Sequence, residues 1–368
     1  VTTSLAPVVV PGAPPASAVR VGQKVQRALQ RVVWRMAPPP MSLMSVVADR
    51  WRADALGALT RLRVPDALAA GARPVDDVAR ELGLNPDALY RVLRALARDG
   101  FFSERGRAFG LTPLTEPLRA DHPHSMRNMV MELAAPRNAV AWSHLETALR
   151  TGHEVWSQDH DVDMWRWLDA HPTEHAVFHG AMNELTREGA PAFARAWDFG
   201  ATDSVADVGG GTGLLLATIL ALHPKLRGAL VDSPSVVAGA PPVLARYGVE
   251  DRVTVVGADI FEQVPPGLGA YVAKNIAHGL SDDRLVEVLR RWRSACRPDS
   301  RLVLVEVVVP EGDEPYLGFL DLQMLLVSFG GRERTAQEFA AVLASGGFVL
   351  DRIVATATPM SLVVAKPA

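Results

Sequence analysis

The run Ser204-Val205-Ala206-Asp207-Val208 has the character of a buried strand, and Gly209-Gly210-Gly211-Thr212-Gly213 comes directly after it. A strand that delivers a glycine-rich turn to a helix start presents backbone N–H groups to an anionic or carboxylate-bearing ligand. The spacing here is Asp-x-Gly-x-Gly-x-Gly. The nicotinamide fingerprint needs G-x-G-x-x-G, and its third glycine would fall on Leu214 counted from Gly209, or on Leu216 counted from Gly211, so that reading fails. An S-adenosylmethionine loop remains. Glycine-rich turns are common, and this one gains its specificity from an ordered set of polar residues downstream. The run Gly228–Val231 ends in Asp232, an acid able to accept both hydroxyls of a ribose. A second run from Val253 ends in Asp259, suited to an adenine amino group, and a third from Ala270 leads through Lys274 to His278. Each of these groups sits at the carboxyl end of an expected strand, where open α/β sheets bind their ligands.

The elements that must position these residues alternate from Asp198 onward as strand and helix, the mark of a doubly wound α/β sheet. The preceding half has another texture. Residues 1–18 are rich in Pro, Ala and Val without a period and read as a flexible arm. From Arg20 to Met36, basic residues Arg20, Lys24, Arg27, Arg31 and Arg35 share one helical face beside Val21, Val25, Leu29, Val32 and Met36. A membrane-surface helix has this form, but a single such signal anchors poorly, so the expectation is an arm packed on a partner subunit or a helix that frays into solvent. Pro38-Pro39-Pro40 ends it.

Val75–Leu82 with Gly83 as its stop, a second helix from Pro86 capped by Asn85, and strands around 101–103 and 108–111 outline a winged helix-turn-helix. Arg91, Arg94 and Arg98 share a face of the second helix, yet residues 75–110 hold six arginines against six acids. Nucleic-acid binding draws on a surplus of positive charge, so packing and dimerisation is the expected use. Residues 115–197 read as helical, with Met126, Met129, Met131, Trp142, Trp156, Trp165, Trp167, Phe178, Met182 and Phe193 expected mostly in the core.

Composition sets the remaining bounds. A chain of 368 residues is long enough for two domains, read here as an arm (1–40), a helical winged-helix-like domain (41–197) and a Rossmann-like catalytic domain (198–368). The net charge of −3 offers no global positive field. Cys296 is the one cysteine, which excludes an intramolecular disulfide framework and a multi-thiolate zinc site. With neither a membrane-spanning apolar run nor a secretory pattern in the sequence, a soluble, cytoplasmic protein is expected.

From about residue 45 onward the sequence resembles the plant-like, caffeate-type small-molecule O-methyltransferases, especially their bacterial natural-product branch. The resemblance rests on Asp207-Val-Gly-Gly-Gly-Thr-Gly213, Val231-Asp-Ser-Pro-Ser-Val-Val237, Gly257-Ala-Asp-Ile-Phe-Glu262, Lys274-Asn-Ile-Ala-His278, Val305-Glu-Val307, Asp321-Leu-Gln-Met-Leu325 and Gly330-Gly-Arg-Glu-Arg-Thr335. It implies a homodimer formed through the N-terminal domain and metal-independent methylation of a phenolic small molecule, with S-adenosylhomocysteine as product. His278 would be the general base, flanked by Glu306 and Glu333. Asp207, Gly209, Gly211, Asp232, Ser233, Asp259, Ile260 and Lys274 would form the cofactor set. Phe178, Met182, Asn183 and Met324 would meet the acceptor. The family usually follows its histidine with Asp-Trp, whereas this chain has Gly279-Leu280. Cofactor-binding relatives that hydroxylate or decarboxylate are the nearest rival, and they generally lack a histidine at this position. A winged-helix regulator and a cation-dependent methyltransferase are further alternatives.

Overall fold

The computed structural model describes residues 10–312, 314 and 316–368. Residues 1–9 of the expected flexible arm lie outside the described residues. Contacts divide the chain into two units: Gln30–Ser143 with Leu168–Leu185, and the N-terminal residues through Leu29 with His144–Trp167 and Thr186–Ala368.

Helix α1 (Ala16–Met36) buries none of its residues. The prolines that stop it also start the next helix: α2 (Pro39–Arg61) has proline in its first turn, where a missing N–H leaves no bond unmade. Helix α3 (Val75–Leu82) ends on Gly83, whose φ of 66° is the left-handed stop that glycine favours. Asn85 caps α4 (Pro86–Arg98), its side chain accepting the Ala88 N–H at 2.9 Å. Strands β1 (Phe102–Arg105) and β2 (Ala108–Leu111) pair antiparallel as the wing, and Arg73–Pro74 adds a third short strand beside β2. Val75, Val78, Leu89, Leu93, Phe102 and Phe109 close the core beneath them. Two of the three arginines on the exposed basic face of α4 have partners within the unit: Arg94 lies over the Tyr90 ring at 5.1 Å, and Arg98 is 3.8 Å from Glu104.

Residues 115–197 are helical in short pieces before the long helix α5 (Pro172–Ala196). Met129, Met131, Trp156 and Phe193 are buried as expected, but Trp165 is 52% exposed and is not a core residue.

The second unit carries the sheet. Strands β3 (Ser204–Val208), β4 (Arg227–Asp232), β5 (Val253–Gly257), β6 (Ala270–Lys274) and β7 (Arg301–Glu306) run parallel in the order β7-β6-β3-β4-β5. Beyond β7 the sheet turns antiparallel. Strand β9 (Ser361–Pro367) lies between β7 and β8 (Phe348–Ala355), and β8 forms the edge. Chain order reverses direction between β3 and β6, the switch point at which the loops after the strands diverge and leave a crevice.

Helix α6 (Leu214–Leu222) continues from the glycine turn. Its sequence is apolar on every side because six of its nine residues are buried. The fit to the sheet is close: a Cβ on Gly228 of β4 would lie 2.9 Å from Leu216 Cδ1. Helices α7 (Asp282–Ala295), α8 (Gly318–Val327) and α9 (Ala336–Ser345) also belong to this unit. Among the described residues no helix is long and apolar enough to cross a membrane.

Because Leu216 is fully buried where the glycine turn enters α6, Leu216→Ala is expected to destabilise the protein by about 2–5 kcal/mol in urea unfolding. A loss below the error of that measurement would mean that the helix is not held by this contact.

Candidate active site

The turn after β3 is shaped by φ angles of 69° at Gly209, 61° at Gly211 and 82° at Gly213, values that a side chain disfavours. Its surroundings are equally restrictive. A Cβ on Gly209 would lie 2.6 Å from Ile276 Cδ1 and 3.1 Å from Ile260 Cδ1. One on Gly210 would lie 2.5 Å from the Asp207 carboxyl carbon. Asp207 itself is buried and accepts the Leu216 N–H of α6 at 3.2 Å. Burial pushes its pKa up to about 7, partly offset by that N–H donor, with Asp232 adding to the rise and Lys274 opposing it. Asp207 therefore pins the turn to the first turn of the helix.

Asp232 closes the other side. Its Oδ2 accepts the Gly211 N–H at 2.8 Å and its Oδ1 accepts the Ser233 N–H at 2.7 Å. These two backbone donors orient the carboxylate beside the glycine turn. Asp259 is exposed beyond β5 and takes the Phe261 N–H at 2.8 Å. Ile260 presents its side chain near Gly209, and its carbonyl accepts the Trp292 indole N–H at 2.8 Å.

A second cluster forms where β6 and β7 end. The Glu306 Oε1 accepts the Ile276 and Ala277 N–H groups at 3.0 and 2.8 Å. His278 Nδ1 is 2.9 Å from Glu333 Oε1, and the Glu333 N–H donates to Asp321 Oδ1 at 2.8 Å. Glu333 is brought in by a parallel pair of two-residue strands, Val308–Val309 against Arg334–Thr335. Both Glu306 Oε2 and Glu333 Oε2 are buried with no hydrogen-bond partner among the described residues. Burial alone would lower the His278 pKa, but the Glu306 charge and the Glu333 hydrogen bond outweigh it and raise the pKa above the ordinary value. Glu306 is also pushed up, by burial first and by Glu333 as well, against the opposing charge of His278. Burial draws the Lys274 amine down to about 8, against the pull of Glu306 and Asp207. Atoms of His278, Glu306 and Glu333 lie within 4.8 Å of one another, a spacing that suits a shared proton and that a cation could also use.

The sequence-derived residues thus form two neighbouring groups on one sheet, with Gly209 meeting Ile276 of the histidine turn. Met324 lies half-buried on α8 and accepts the Ser328 hydroxyl at 3.6 Å. Phe178, Met182 and Asn183 lie half-buried on α5 and belong to the other unit. Sequence reasoning gave no role to Asp321 or Arg334, although both stand in the motifs that carry the family resemblance. Asp321 offered a signal, an acid among the apolar residues Phe319, Leu320, Leu322 and Met324, since an interior holds a charge only when it is paired; Arg334, between Glu333 and Thr335 in a polar stretch, offered none.

A glycine cradle that side chains would fill, an oriented diol-binding acid and a histidine between carboxylates at strand ends define an S-adenosylmethionine-dependent methyltransferase. Residues 142–349 match the O-methyltransferase domain family and residues 47–120 the O-methyltransferase dimerisation domain. The chain therefore belongs to the plant-like O-methyltransferase family. It is 35% identical over 337 residues to the phenazine O-methyltransferase PhzM of Lysobacter antibioticus, covering 90% of this chain and 98% of that protein. The crystal structure of LaPhzM superposes with a TM-score of 0.86 at 35% identity, over 90% of this chain and 100% of that one. The neocarzinostatin-biosynthesis O-methyltransferase NcsB1, solved with S-adenosylmethionine and 2-hydroxy-5-methyl naphthoic acid, superposes with a TM-score of 0.74. It is 29% identical and covers 86% of this chain and 96% of its own.

Glu333 favours the imidazolium, so Glu333→Gln lowers the His278 pKa, while the unaltered protein titrates above about 6.5. NMR titration of the imidazole checks this, and an unchanged midpoint in the variant would show that Glu333 does not set it.

Proposed function

We propose that this enzyme methylates a phenolic or similar hydroxyl on an aromatic bacterial secondary metabolite, an aromatic polyketide or a benzoate- or naphthoate-like acid, with His278 as general base. The observation that carries this is the His278–Glu333 contact. With Nδ1 held by the Glu333 carboxylate at 2.9 Å, Nε2 is the nitrogen left to receive a proton. A phenol of pKa about 10 is a poor nucleophile near neutrality, and a histidine whose pKa has been raised is a better-matched acceptor for its proton. Glu333 and Glu306 stabilise the imidazolium that results. When bound, S-adenosylmethionine supplies a methyl group already activated on a sulfonium sulfur. The chain's remaining task is then alignment, which can account for much of the acceleration.

In this reading Asp232, with Ser233 beside it, holds the ribose hydroxyls, and Asp259 and Ile260 meet the adenine. Gly209 and Gly211 admit the methionine end, with Asp207 fixing their turn and Lys274 contributing backbone. Phe178, Met182, Asn183 and Met324 contact the acceptor ring. The names of the phenazine enzyme and of the naphthoic acid complex support an aromatic acceptor. The domain limits 1–40, 41–197 and 198–368 belong to the same proposal. So does a homodimer, supported by the dimerisation-domain match and by the exposed apolar residues Met41, Leu43, Met44, Val47 and Trp51 of α2.

Calorimetric titration with S-adenosylhomocysteine, with and without a chelator, tests the cofactor site. Micromolar binding indifferent to the chelator is expected, and no binding by the folded protein would remove the reading. Phenolic acceptors are then screened for the mass gain of one methyl group. His278→Ala is expected to keep S-adenosylhomocysteine affinity and to lower turnover by about 10²- to 10⁴-fold. Equal turnover would remove His278 from the base role.

A further inference from the structure

The turn that carries His278 has little of its own to hold it. Asn275 adopts a φ of 57°, unusual for a side-chain-bearing residue, and a single 3-10 turn spans Ala277–Gly279. Gly279 contributes no side chain, and a Cβ placed there would meet nothing within 4 Å. The turn is instead gripped from both sides by buried ions. On its N–H side stands the Glu306 carboxylate, which takes the Ile276 and Ala277 N–H groups. On its carbonyl side stands Arg334, which is fully buried. Nη1 of Arg334 donates to the Ala277 carbonyl at 2.7 Å, and Nη2 donates to the Leu280 carbonyl at 2.7 Å. Nε donates to Asp282 Oδ1 at 2.8 Å, at the start of α7. One planar guanidinium thus spans the residue before His278, the second residue after it and the helix beyond.

Contact along the chain makes the arrangement cooperative. Arg334 is the residue immediately after Glu333, which is bonded to the imidazole, so one short segment holds both the ring and the backbone that bears it. Gly331 in the same segment packs so closely that a Cβ would lie 2.6 Å from the His278 carbonyl oxygen.

We propose that Arg334 is the positioning residue of His278: its three-pronged grip fixes the turn so that Nδ1 stays on Glu333 and Nε2 stays available to the acceptor. The catalytic consequence rests on His278 as proton acceptor, but the geometric content stands apart from that reading. A lysine could not replace this arginine, since an ammonium on a flexible stem lacks the fixed fork that reaches two carbonyls and a carboxylate together.

The test uses the full-length protein loaded with S-adenosylhomocysteine and labelled with ¹⁵N at histidine. In the unaltered enzyme the neutral His278 is expected as one tautomer, protonated on Nδ1. Arg334→Met and Arg334→Lys are both expected to give a mixture of tautomers, with S-adenosylhomocysteine affinity within about twofold of the unaltered protein. With the best acceptor from the phenol screen, kcat should fall about 10- to 100-fold while KM for S-adenosylmethionine is unchanged, as expected for a reacting group displaced by about an ångström. Should either variant fail to bind S-adenosylhomocysteine, Asp282→Ala removes one prong from a half-exposed site. It should move the tautomer and kcat in the same direction by a smaller factor. A single Nδ1–H tautomer retained in Arg334→Met, or in Asp282→Ala where that variant stands in, overturns the proposal, as does full activity of Arg334→Lys. Loss of the fixed tautomer together with an active His278→Ala would instead sink the general-base reading and leave the positioning role standing.

Discussion

At the end of β7 the buried Glu306 carboxylate accepts two backbone N–H groups from the turn after β6, and the geometry of the site depends on that pair of bonds. They fasten the histidine turn to the neighbouring strand rather than to solvent. Ile276, held by one of them, is also the residue against which Gly209 packs. The cofactor loop and the histidine turn are therefore set against each other by one carboxylate. A side chain at 209 would separate them, which gives that glycine a steric reason as well as a conformational one.

The interior of this site carries an unusual density of charge: Asp207, Lys274, Glu306, Glu333 and Arg334, with His278 among them. Burying an unpaired charge is strongly unfavourable, and the arrangement meets that problem by sharing. Lys274 counters both Asp207 and Glu306, while the raised pKa values of Glu306 and His278 show two groups competing for protons in one enclosed space. Such groups titrate as a set. A change at any one is expected to be felt at the others through charge, without movement of the backbone.

Much of this was legible in the sequence because strand ends and glycine spacing are local patterns. The strand at 204–208 and the helix at 214–222 lie where the sequence placed them. Asp232 meets the glycine turn, accepting the Gly211 N–H, because it directly follows Val231, which pairs in register with Val208 at the end of the neighbouring strand. The antiparallel close of the sheet was not legible, since alternation of strands and helices says nothing about direction once the helices stop. Nor was the grip of Arg334 on the His278 turn, which joins residues more than fifty positions apart. Trp165 shows the converse limit: a large aromatic in a helical stretch reads as core, yet its face is turned outward.

The order β7-β9-β8 at one side of the sheet has a consequence for synthesis. Strand β8 leaves the ribosome before β9, yet β9 is its only partner in the sheet among the described residues. Until β9 emerges, β7 also lacks its outer neighbour, and its buried apolar residues Leu302, Val303 and Leu304 have an unpaired edge. A nascent chain paused at that point would expose two strand edges at once, the condition under which chaperone capture and misassembly compete with folding.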